Sequence, residues 1–141
     1  MTRRISFSNN PNGKLFSDTF SDVRLADAER FYAGSKLDVY LKGMQMGTVQ
    51  VVAIRPILYK QITDVLSYLV CGKPAAYLAA MIRNWYEPQD DITGETRLAH
   101  LVLQWTSRNV EAHALQLQEW WQATRSAEEL KPQTQTQNSN T

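Results

Sequence analysis

Lys36-Leu-Asp-Val-Tyr-Leu41, followed after a short interval by Thr48-Val-Gln-Val-Val-Ala-Ile54, decides the fold of this chain. In the first stretch Leu37, Val39 and Leu41 fall on one side at period two, the repeat of a strand with one buried face. The second stretch is rich in β-branched residues. Gly43 and Gly47 lie between them, so the pair reads as a β-hairpin with a loose, Met-containing connection.

Working outward, Ile5 to Ser8 alternates apolar and polar and ends at Asn9-Asn10-Pro11-Asn12-Gly13, a dense turn signal. Thr19 to Leu25 reads as a second extended segment. Ala26 to Ala33 allows a helical turn that Gly34 would stop. Beyond the hairpin, Pro56 can open a helix, and Leu58, Ile62, Val65, Leu66 and Leu69 recur at helical spacing as far as Gly72. Pro74 opens another helix, Ala75 to Tyr86, with Leu78, Met81, Ile82 and Trp85 as its buried stripe, and Pro88 ends it. Arg97 to Trp105 is a further strand. Asn109 to Arg125 is a last amphipathic helix, whose stripe runs through Val110, Ala114, Leu117 and Trp121. Strands flanking a helical insertion, without a βαβ rhythm, predict an α+β domain built on a mostly antiparallel curled sheet or small β-barrel. Residues 1–125 form that one domain. Residues 126–141 are nearly all polar and cannot offset the ordering entropy of about 1–2 kcal/mol per residue, so a disordered tail is expected there.

The totals remove several function classes. The chain has 141 residues, 15 basic against 14 acidic, for a formal charge of +1, so no global field draws polyanions. Cys71 is the only cysteine, which excludes an internal disulfide. Two histidines and no carboxylates at ligand spacing argue against a metal, and no cofactor motif stands out. Neither a signal peptide nor an apolar run of membrane-spanning length is visible, so a cytoplasmic setting is expected.

Arg24 stands ten residues before Gly34, with Phe31 just ahead of that glycine. Gly34-Ser-Lys-Leu-Asp-Val-Tyr40 then opens the hairpin, and Val49 to Ile54 completes it. A helical insertion from Ile57 to Val70, the pair Trp85-Tyr86 and the strand His100-Leu-Val-Leu-Gln-Trp105 follow. In this order and spacing, over residues 4 to 106, the chain resembles the ASCH branch of the PUA-like folds, small β-barrels associated with RNA and modified nucleotides. It is most similar to the small acetylcytidine-amidohydrolase-like members. Those carry Lys-x-x-Thr-x-Arg where this chain has Thr19, Asp22 and Arg24. The acidic residue of the hydrolytic members is replaced by Cys71-Gly72-Lys73. An alternative alignment uses Gly13-Lys14-Leu-Phe-Ser17, which supplies a lysine and a hydroxyl further upstream.

The resemblance implies a module that binds RNA or a modified nucleotide near Arg24. The alternatives are a small amidohydrolase acting on an acylated nucleoside through Lys14 or Ser17, and a protein-interaction domain. Asp22 and Arg24 share a face of a period-two strand and could meet a base edge or phosphate together, or be a surface ion pair. Phe20 lies on the same side and is read either as a base-stacking ring or as core. Tyr86 is free to line a pocket while Trp85 packs. Trp121 is expected to pack and Trp120 to stay half exposed, which suggests a homodimer contact through the C-terminal helix.

Overall fold

The computed structural model describes residues 3–139, with side chains as far as residue 125. Five strands form one sheet: β1 (Arg3–Phe7), β2 (Thr19–Leu25), β3 (Lys36–Leu41), β4 (Met44–Leu58) and β5 (Arg97–Arg108). Their order is β1-β3-β4-β5-β2, with β1 and β3 parallel and the other pairs antiparallel. The fold is α+β, a curled mixed sheet that makes a half-barrel, with helices α1 (Asp64–Cys71), α2 (Ala75–Tyr86) and α3 (Val110–Ser139) around it. Among the described residues no single helix is long and apolar enough to cross a membrane.

The hairpin forms as its pattern dictates. Leu37, Val39 and Leu41 are fully buried, as are Val49 opposite Leu37 and Val51 beyond it, while Asp38 on the outer face accepts from the Thr48 hydroxyl at 3.0 Å. Its connection is tighter than expected. Leu41 pairs with Met44, and Lys42 and Gly43 both have positive φ (52° and 81°), so the turn is a two-residue one whose twist matches the strands. Gly47, at φ 133°, sits in the irregular stretch beyond it, where an added Cβ would lie 2.3 Å from the Ser107 carbonyl oxygen.

Pro56 does not open a helix. It lies inside β4, opposite Ala99 of β5. The register with β3 ends at Gln50, so Pro56 occupies an edge position where a missing N–H is tolerated. Helix α1 starts later, after Thr63, whose hydroxyl accepts from the Leu66 N–H at 3.2 Å, and it stops at Gly72 in the left-handed conformation. Helices α1 and α2 cover one end of the half-barrel through Leu66, Val70, Leu78 and Ile82, which pack on Val23, Ile57 and Leu98.

Helix α3 begins with Asn109, whose side chain accepts from the Ala112 N–H. It packs through a different face from the one the sequence pattern selects. Ala112, His113 and Gln116 are buried, and Trp120 meets Phe16 edge-on at 6.0 Å. Val110, Ala114, Leu117 and Trp121 are exposed, so Trp121 is the freer tryptophan at 58% against 39% for Trp120. Helical backbone continues to Ser139; the expected disordered tail falls where no side chain is described.

Candidate ligand cleft

The two edges of the sheet curl toward each other, and the site lies where they meet. Phe7 of β1 and Phe20 of β2 touch edge-on at 6.2 Å. No backbone ladder joins these strands among the described residues; the Arg24 side chain bridges them instead, and Arg30, in the segment that follows β2, adds a second tie to β1. Arg24 donates through Nη2 to the Ser6 carbonyl at 2.8 Å, and Arg30 donates to the Arg4 carbonyl.

Beside this seam opens a cleft of about 400 Å³, lined by β1, β2, the 3-10 segment Pro11–Phe16 and the ends of α1 and α2. Its floor is a buried charge triad. Asp22 accepts from Arg24 Nε at 2.6 Å on one carboxylate oxygen and from Lys14 Nζ at 3.2 Å on the other. Lys14 also donates to the Ser21 carbonyl at 2.8 Å. It reaches the floor because Asn12 and Gly13 take positive φ (60° and 67°), turning the chain so that Lys14 and Leu15 point inward. Phe7, Val70, Met81, Trp85 and Tyr86 make the walls. The Arg24 guanidinium stands 4.7 Å from the Phe7 ring centre and 6.0 Å from that of Trp85.

Burial alone would raise the Asp22 pKa, but the charges and hydrogen bonds of Arg24 and Lys14 outweigh it and hold the carboxyl below the usual carboxylate range. Burial also works against the Arg24 charge, yet Asp22 and the Tyr86 hydroxyl raise its pKa further. Lys14 goes the other way: desolvation wins over the Asp22 attraction and lowers its pKa. Two cations against one anion leave the floor at a formal +1. Both Asp22 oxygens and the Ser6 and Ser21 carbonyls already hold donors, whereas Lys14 retains one N–H and Arg24 several. The triad therefore offers spare donors and asks for acceptors.

Four of the residues singled out in sequence line this cleft: Lys14, Asp22, Arg24 and Tyr86. The reading of Asp22 and Arg24 as a surface pair is corrected, since Asp22 is 4% exposed. Phe20 lies in the core at 6% exposure, backing Phe7 from behind rather than lining the cleft. Ser17 is exposed and does not line it either. Trp85, expected in the core, is instead a cleft wall that is 39% exposed. Met81, expected in the buried stripe of α2, and Cys71, at the position of the resembled family's acidic residue, line it as well; Phe7 does so without having been singled out, its only sequence signal being a place in the short alternating run of β1. Among the described residues no cluster of His, Cys, Asp or Glu could hold a metal.

The same fold occurs in protein EF3133 from Enterococcus faecalis V583, a DUF984 protein known from a crystal structure. The TM-score is 0.60, and the match covers 81% of this chain and 82% of that one at 8% identity. This chain shares a fold with a DUF984 protein. At that identity the likeness carries the architecture alone. No known family model and no curated protein matches the sequence.

Proposed function

We propose that this domain binds RNA or a modified nucleotide by taking one nucleotide unit into the cleft. The observation that carries the reading is the composition of the cleft, a donor-rich floor of formal charge +1 beneath aromatic walls. A heteroaromatic ring stacks on Trp85, with the edge of Phe7 beside it, while its carbonyl or phosphate oxygens accept from Lys14 and Arg24, the stacked ring contributing about 1–3 kcal/mol. A volume of about 400 Å³ lies in the range of small-molecule pockets. The resemblance to ASCH domains supports the same ligand class, and the single cysteine fits a cytoplasmic setting.

Titration with mononucleotides, modified nucleosides and short RNAs, followed by amide chemical shifts, tests the proposal. Binding moves the resonances of Phe7, Asp22, Arg24, Trp85 and Tyr86, and Arg24→Ala weakens it about tenfold or more. An unmoved cleft with every one of these ligands refutes it.

A second reading, an amidohydrolase on acylated nucleosides, is favoured by one observation: Lys14 is buried in the cleft with a lowered pKa, as a lysine that acts as a base requires. Deacetylation of acetylcytidine that disappears in Lys14→Met would establish it. No turnover by the unaltered chain leaves the binding reading alone.

A further inference from the structure

Val110, Ala114, Leu117 and Trp121 repeat at intervals of four, three and four residues along α3, the spacing of a coiled-coil seam. All four are exposed, Val110 at 74% and Trp121 at 58%. The seam lies about 120° around the helix from the face that packs on the domain, so it is a second apolar face rather than the fringe of the first. A row parallel to it reads Glu111, Gln118, Arg125, each seven residues from the next and all exposed. That row is acidic at one end, neutral in the middle and basic at the other.

We propose that this stripe seats the same stripe of a second copy of the chain, with the two α3 helices antiparallel. A two-fold axis beside Gln118 brings Glu111 of each copy opposite Arg125 of the other and sets the two Gln118 side chains facing. The same register puts the small Ala114 level with the large Trp121 of the second copy, twice, and the two Leu117 side chains close to the axis. A parallel pairing would instead turn this row toward the second copy's His113 and Trp120, which already pack on their own domain, and would leave Glu111 and Arg125 without partners. Charge and size thus select the antiparallel partner, and a two-fold contact requires such a self-complementary surface. The cleft lies on other elements, and nothing in this inference depends on what the cleft binds.

Sedimentation of the full chain from about 1 µM to about 1 mM should show a mass rising toward twice the 16.1 kDa of one chain. Leu117→Asp, an exposed position that leaves the fold unchanged by circular dichroism, should keep the chain monomeric. Glu111→Arg should weaken the dimer about tenfold, two ion pairs being lost at once, and adding Arg125→Glu should restore it. Under mild oxidation Gln118→Cys should cross-link to itself and Glu111→Cys should not. A monomer at every concentration assigns the stripe to some other occupant and overturns the proposal. So does a dimer that tolerates Leu117→Asp, or one in which Glu111→Cys cross-links as readily as Gln118→Cys.

Discussion

Asp22 is the residue on which the cleft depends, because each of its oxygens serves a different cation. Removing it leaves Lys14 and Arg24 side by side, desolvated and without a counter-charge. Asp22→Asn should therefore cost roughly 3–5 kcal/mol in denaturant unfolding. Lys14→Met is the informative contrast: it leaves the Asp22–Arg24 pair intact and neutral overall, so the loss should stay below about 1 kcal/mol. Acid has a related effect. The folded chain holds the Asp22 proton more weakly than the unfolded chain, so stability rises with pH between the two pKa values and is lost as pH falls through the folded one. Denaturant midpoints should accordingly drop below the usual carboxylate range, and the Asp22 carboxyl carbon, followed by NMR, should titrate there. Period two along β2 and the spacing to Gly34 made Asp22 and Arg24 legible in the sequence. Lys14 was legible only as an alternative, since its arrival at the floor depends on left-handed turns at Asn12 and Gly13. The Ser6 carbonyl and the Phe7 ring were not legible, because they come from across a seam that no local pattern encodes.

At the scale of elements, the tightest backbone constraint is Gly47. Its φ of 133° and the Ser107 carbonyl 2.3 Å from where a Cβ would sit make Gly47→Ala costly, about 2 kcal/mol or more, read as a lowered melting temperature. Thr63→Ala, which removes the α1 cap, should cost about 1 kcal/mol. The hairpin, β2 and α2 were readable because their periodicity and their Gly and Pro boundaries agree. Helix α2 spans the expected Ala75–Tyr86. The far half of β4 was not, since Pro56 carries the same signature at a helix start as on a strand edge. Helix α3 misled for a different reason. The sheet beneath it offers the Met46 carbonyl and the Trp105 ring, so the docked face is made by His113, bonded to that carbonyl at 2.9 Å and edge-on to that ring, with Ala112 and Gln116. Apolar periodicity reports a face that wants covering; it does not say which neighbour covers it.

For the molecule as a whole, the half-barrel is continuous in hydrogen bonds from β1 through β3, β4 and β5 to β2, and its remaining gap is crossed by the Arg24 guanidinium. Arg24 belongs both to that gap and to the floor of the cleft. Whatever occupies the cleft and engages the spare N–H groups of Arg24 also fixes the hand that grips Ser6. Amide hydrogen exchange over residues 3–7 should therefore slow on ligand addition, although the adjoining strand β3 needs no contact with the ligand at all. A cleft assembled this way reports its occupancy through how often the first strand lets go.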